Sequence, residues 1–317
     1  MIGDQLSKGL RGQQEGNQPR VADCTSQRIE GGLMITHLVS PQGKEVIIGD
    51  NRPTVLIGEK INPFGKGPIK EALISGDMSP VREEAAKQVE AGADILIISV
   101  AAFGIDESII LPKAVWAVMD AVDVPICLES RNPVALENTL QLGCGKPIIS
   151  SITGEAVHLD QILPLVRKYN TAFVALASDS SGVPNTAVKR LEIIAGIVGK
   201  AREIGIDPED IIADCVAESS AVNSAAAIIT LETMDMVKRQ LGLNLVLGAS
   251  NVSFGLPNRT VINAVFLSLA VSRGLTSAIV NAKLMKPYIM AADLLMGRDN
   301  RARRYTTYCR KLLKANA

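Results

Sequence analysis

From residue 54 onward, short unbroken apolar runs alternate with longer segments whose apolar positions recur at helical spacing. Thr54-Val55-Leu56-Ile57-Gly58 is the first such run, the pattern of a strand buried on both faces. Further runs of this kind predict strands over 93–100, 124–128, 147–151, 171–176, 211–213, 245–247 and 277–280. Helical spacing between them predicts helices over 81–91, 109–121, 133–142, 156–169, 186–204 and 221–241, and one more that ends at Arg273. Helices over 283–296 and 301–313 close the chain. Alternation of this kind predicts parallel strands joined by helical crossovers. Eight such units suit a closed (β/α)8 barrel, a single domain over 46–317. An open doubly wound sheet is the competitor. It usually carries a Gly-x-Gly-x-x-Gly turn after its first strand, and Gly58-Glu59-Lys60-Ile61 lacks that spacing. Residues 1–33 are rich in Gly, Gln, Arg and Ser and have little periodicity. They read as the disordered start of an N-terminal extension over 1–45, or as a leader, with structure beginning near Val46.

Composition narrows the function classes. Charges balance, 33 against 33, and hydrophobic residues make up 47%, which argues against general affinity for nucleic acid or acidic membranes. Aromatic residues are only 3%, so stacking platforms are scarce. The five cysteines are scattered without paired spacing, a pattern expected of reduced thiols in a cytoplasm. No apolar run reaches membrane-spanning length. With only His37 and His158 present, chemistry built on histidine or on a His-rich metal site is disfavoured.

In a barrel the ligand site lies at the carboxyl ends of the strands. The strand ends carry Glu59 and Asn62, Ser99, Glu129 to Asn132, Ser150 and Ser151, Asp179, Asp214 and Cys215, and Ser250 and Asn251. This rim of carboxylates, amides and hydroxyls suits a flat polar heterocycle. It offers no evident nucleophile–base pair and no phosphate loop. The stretch from Gly248 to Arg259 is the densest part, with Ser250, Asn251, Ser253, Asn258 and Arg259 between Gly248, Gly255 and Pro257. Local roles compete with ligand binding at each position. Asp214 or Asn132 could start the helix that follows, and Asn251 could brace its own loop. Their co-location on strand ends favours a ligand site.

Gly58-Glu59-Lys60-Ile61-Asn62, the strand end Ser150 to Glu155, Asp214 and Gly248-Ala249-Ser250-Asn251-Val252-Ser253 together resemble the pterin-binding barrels, which include dihydropteroate synthase and the methyltetrahydrofolate:corrinoid methyltransferases. Gly-x-Ser-Asn-Val-Ser followed by Asn258-Arg259 is similar to the methyltransferase branch. The resemblance runs from about Thr54 to the last helix. It implies methyl transfer between methyltetrahydrofolate and the cobalt of a cobalamin held by a separate corrinoid protein, in anaerobic one-carbon metabolism. It further implies that Asp214 and Asn132 contact the pterin, that Asn251 approaches the methyl-bearing nitrogen, and that Asp179 lies near the ligand. Glu129, Ser151, Ser99 and Arg259 complete the expected substrate-binding set, with Asn251 and Asp214 as the catalytic pair. The family also tends to form homodimers, which Leu294, Leu295, Met296, Tyr305 and Tyr308 near the C-terminus could support.

The chain departs from the family pattern around the donor pocket. Ile97 stands where an aspartate commonly binds the pterin, Ser99 where an asparagine is usual, Glu129-Ser130 in place of Asp-Ser, and Cys215 in place of proline. A buried donor left unpaired costs about 1–3 kcal/mol, so either the folate is held differently or the methyl donor is another molecule. Two alternatives therefore stay open. One is methyl transfer from a methyl ether or a methylated amine to a corrinoid protein, where zinc could draw on Cys215, Glu129, Glu218 and His158, although their spacing matches no standard site. The other is a pterin-binding protein without catalysis. In either enzyme reading the protein supplies positioning and a donor network, because a tertiary amine leaves poorly until its nitrogen is protonated or hydrogen-bonded.

Overall fold

The computed structural model describes residues 34–64 and 67–315; the extension over 1–33 lies outside them. Eight parallel strands close into a barrel: β3 (Val55–Ile61), β4 (Ile95–Ser99), β5 (Ile126–Glu129), β6 (Ile148–Ile152), β7 (Ala172–Leu176), β8 (Ile211–Asp214), β9 (Asn244–Gly248) and β10 (Ser277–Val280), with β10 pairing back onto β3. Helices α2 (Ser79–Glu90), α3 (Glu107–Ala121), α4 (Pro133–Leu140), α5 (Ala156–Tyr169), α6 (Ala187–Glu203), α7 (Ala226–Gln240), α8 (Arg259–Ser272) and α9 (Ala282–Leu295) surround it, and α10 (Arg303–Ala315) follows.

Strand alternation explains the unbroken apolar runs. Ile95 and Ile97 of β4 face the barrel interior with Ile57, Cys127, Ile148 and Ile212. Leu96 and Ile98 face outward onto the helices, where Leu111, Val115 and Val118 of α3 are buried. Both faces leave water, and each fully buried Leu or Ile contributes roughly 1.5–3 kcal/mol.

Ordered structure begins ahead of Val46. Strand β1 (Ile35–Val39) pairs antiparallel with β2 (Glu45–Gly49), inside what the sequence presents as an extension. Leu38 and Ile48 of this hairpin pack onto the interior residues and stop the N-terminal end of the barrel. Asn244 Nδ2 donates to Thr36 Oγ1 at 3.0 Å and to the Ile48 carbonyl at 3.2 Å, so the hairpin is fastened by polar contacts as well. Two helix limits also differ from expectation. Helix α1 (Pro68–Ser75) precedes α2 where only a loop is legible. Helix α7 begins at Ala226, because the residues ahead of it turn back toward the loop after β9: Ser219 Oγ donates to the Phe254 carbonyl at 2.6 Å and the Ser220 N–H to the Val252 carbonyl at 3.0 Å. Among the described residues, no helix is long and apolar enough to cross a membrane.

Candidate functional site

The same alternation that buries Ile57, Ile97, Cys127 and Ile212 inside the barrel carries Glu59, Ser99, Glu129 and Asp214 to the inner face at its C-terminal mouth. Strand β6 is irregular: its register shifts between Ile149 and Ile152, both packed outward, which leaves Ser150 and Ser151 side by side between them. Carboxylates from three separate strands therefore converge on one opening, with hydroxyls beside them.

Each carboxylate is held where ionisation is disfavoured. Burial pushes Asp214 up from an ordinary 3.8 to about 6, against the pull of the Val216 N–H and the Arg190 charge. The Val216 N–H donates to Asp214 Oδ1 at 2.8 Å. Burial also raises Glu129, and the Ser99 hydroxyl offsets part of that. Burial raises Glu59 too, opposed by the Ser250 hydroxyl, Arg259, the Asn281 backbone N–H and Lys60. Raised carboxylates at a barrel mouth are candidates to bind or hand over protons, and of the three Glu59 lines the open cleft beside the loop after β9.

Asn251 lies on a short 3-10 turn, Ala249–Ser253, directly after β9, the strand next to β8 and its Asp214. The turn is braced from three sides. Arg259 Nη2 donates to the Ser250 carbonyl at 2.7 Å, Arg259 Nε donates to Ser253 Oγ at 3.0 Å, and Ser250 Oγ donates to Glu59 at 3.1 Å. Arg259 thus works first as a brace for the loop. Asn251 is exposed and lines a cleft of about 930 Å³ with Glu59, Lys60, Asn62, Arg259, Asn263 and Asn281.

The other expected residues divide. Asn132 Oδ1 caps α4, accepting from the Val134 and Ala135 N–H groups at 3.0 and 3.3 Å, so only its Nδ2 donors remain for a ligand. Asp179 folds onto its own loop: the Ser181 N–H and hydroxyl donate to its Oδ1 at 2.8 and 2.6 Å and hold its carboxyl below the usual range. The four residues considered for zinc do not come together. His158 is hydrogen-bonded to Thr153 Oγ1 at 2.9 Å, Glu218 pairs with Arg190, Cys215 is packed in the outer layer, and Glu129 faces inward. Among the described residues, no group of three or more His, Cys, Asp or Glu side chains is arranged to hold a metal ion.

Lys60, from the Gly58 to Asn62 motif, lines the cleft together with Asn263 and Asn281, two residues that no sequence motif marks. Asn263 lies inside the apolar-periodic run that becomes α8, and its Oδ1 is buried without a partner among the described residues. An amide in an otherwise apolar helical stretch was the signal available for it.

Strands, helices and rim together define a (β/α)8 barrel with a polar ligand site at its C-terminal mouth. The chain belongs to the pterin binding enzyme family, which matches it over residues 65–281. It is 33% identical over 262 residues to a methylcorrinoid:tetrahydrofolate methyltransferase of Eubacterium limosum, covering 80% of this chain and 94% of that one. It is 30% identical over 250 residues to the methionine synthase of Mycobacterium leprae, covering 74% of this chain but only 21% of that longer protein. Among solved structures, a dihydropteroate synthase from Coxiella burnetii in complex with pteroic acid superimposes with a TM-score of 0.62 at 18% identity, covering 82% of this chain and 98% of that one. That likeness supports the fold.

Proposed function

We propose that this protein moves a methyl group between tetrahydrofolate and the cobalt of a corrinoid carried by a separate protein. The observation that carries the reading is the placement of Asp214 on the inner wall of the mouth with Asn251 on the loop of the adjacent strand. The Eubacterium limosum relative, similar over nearly its whole length, supports the same chemistry. An ionised Asp214 accepts hydrogen bonds from an amino-pyrimidine edge, the charge-assisted kind that is strongest. Ser99 and Glu129 contact the ring from the wall across the opening in this reading, and Ser151 adds a hydroxyl at the end of β6. Ile97 is buried and apolar, so Glu129 is the carboxylate on that side. Asn251 donates to the methyl-bearing nitrogen or to a water beside it, an interaction that strengthens as the nitrogen becomes a leaving group. The corrinoid supplies the cobalt centre that accepts or gives up the methyl group.

The rim supports docking of a protein partner at the mouth. Three of the five phenylalanines, Phe64, Phe103 and Phe254, are strongly exposed, and all lie on loops at the C-terminal end of the barrel. Exposed aromatic side chains of this sort are characteristic of interaction surfaces. A homodimer is part of the same proposal. It draws on the exposed Leu295 and Met296 and on the stripe Val261, Val265 and Leu269 along α8; a dimer mass in light scattering at micromolar concentration is the expected result. The thiols Cys127, Cys144, Cys215 and Cys309 are free, which supports a reducing, cytoplasmic setting.

Calorimetric titration with methyltetrahydrofolate tests the reading. Saturable binding that weakens about 10- to 100-fold in Asp214→Asn supports it. Absence of binding turns the assignment toward a methyl ether or methylated amine donor, for which the apolar Ile97 wall is suited. Methyl transfer to a reduced corrinoid protein in a single turnover separates an enzyme from a passive binder.

A further inference from the structure

Arg190 is fully buried, an unusual place for a guanidinium unless every donor has a partner. It sits in the first turn of α6 and reaches across to the loop after β8. Its Nη1 donates to the Cys215 and Val216 carbonyls at 2.9 and 2.7 Å, its Nε donates to the Pro184 carbonyl at 2.8 Å, and its Nη2 pairs with Glu218. Thr230 Oγ1 adds a second donor to the Val216 carbonyl at 2.8 Å. Val216 has φ of +59°, a left-handed conformation that a β-branched residue adopts only when its surroundings impose it. Its carbonyl is fixed by Arg190 and Thr230, and its N–H is the group that donates to Asp214 Oδ1. The same loop continues to Ser219 and Ser220, which hold the Phe254 and Val252 carbonyls of the Asn251 turn.

We propose that Arg190 is a positioning residue: it fixes the left-handed turn at Val216 that orients the Asp214 carboxylate, and through Ser219 and Ser220 the turn that presents Asn251. The inference rests on the reading of Asp214 as the pterin anchor. A lysine cannot replace this arrangement, because a single ammonium cannot reach three carbonyls and a carboxylate with a planar fork. The Arg190 charge also opposes the burial of the Asp214 charge.

A double-mutant cycle on tetrahydrofolate affinity tests this, with folding of each variant confirmed by circular dichroism. Arg190→Lys is expected to weaken affinity about tenfold in the otherwise unaltered protein, and by much less when Asp214→Asn is already present, since the two act as a unit. A role confined to holding α6 against the barrel gives equal losses in both backgrounds and overturns the proposal. An Asp214→Asn variant with unchanged affinity overturns the pterin-anchor reading instead, so the two failures are distinguishable. Should Arg190→Lys not fold, Thr230→Val, which removes the hydroxyl shared between the Val216 and Ala226 carbonyls, is expected to show the same non-additivity with about a threefold loss; additive or absent effects again overturn the proposal.

Discussion

At the N-terminal end of the barrel, Asp293 accepts from the Thr54 N–H at 2.8 Å and the Thr54 hydroxyl at 2.7 Å, with Arg298 at 3.6 Å and Arg304 at 3.7 Å. At the C-terminal end, Asp214 accepts one backbone N–H and is in no ion pair among the described residues. Two further ion pairs lie at the lower end. Below, Lys146 meets Asp210 at 2.6 Å and Lys238 meets Asp50, while the β1–β2 hairpin excludes water. Above, Glu129 has the Ser99 hydroxyl for company. Burial raises carboxylates at both ends, but Asp210 and Asp293 at the lower end have a cation in contact and Asp214 has none among the described residues. The lower end is closed by the hairpin and these ion pairs, with the Asn244 Oδ1 and Thr171 Oγ1 atoms buried and unpartnered among the described residues. The upper end leaves acceptors whose partners must arrive with a ligand, so binding there releases a cost that the empty fold carries.

The sharpest break in this comparison is Asp293→Ala. It strips the partner from Thr54 and from Arg298 at once, and is expected to destabilise the fold by about 3–5 kcal/mol in denaturant titration. Folate affinity under folding conditions should stay unchanged. Next comes Asn251→Ala, expected to lower the single-turnover methyl-transfer rate by about 10²–10³ with a smaller loss of donor affinity and no loss of stability. Equal losses of rate and affinity would make Asn251 a binding residue only. Asp214→Asn is expected to weaken folate binding by roughly 1.5–3 kcal/mol. In the unaltered protein, affinity should fall as pH drops below about 6, where Asp214 takes up its proton.

The smallest effect is on stability, and its sign is opposite to that at Asp293. The Asp214 carboxyl titrates near 3.8 in the unfolded chain and near 6 in the fold. Burial of its charge therefore subtracts stability as pH rises from 3.8 through 6, and the full penalty stays above that range. Asp214→Asn should raise the melting temperature at pH 8 by about 2–4 °C, a gain that narrows as pH is lowered toward 4. A loss of stability at pH 8 would mean that Asp214 serves the fold as Asp293 does.

Parallel strands buried on both faces write themselves as unbroken apolar runs, and Ile95 to Ile98 shows why these were legible. Short, half-exposed pieces were not. β1 and β2 bury few side chains of their own and gain their place by stopping a barrel end that local pattern does not reveal. The resemblance over Gly58 to Asn62, Asp214 and Gly248 to Ser253 pointed to the mouth, and the family match over residues 65–281 takes in the last two of these stretches.

What sequence order determined by itself was the count and sequence of strands, the helices between them and the residue types at each strand end, because these depend on local periodicity. Which of those residues point inward was decided only by closure of the barrel, since both faces of every strand are apolar and periodicity cannot tell inside from outside. Closure placed Glu59, Glu129 and Asp214 around one opening, spent the Asn132 oxygen on a helix cap, and turned Asp179 onto its own loop. It also buried Arg190 beside an exposed Lys189. A guanidinium becomes a core residue only where a folded loop supplies carbonyls to meet it, and that loop exists only once β7, β8 and α6 are packed together.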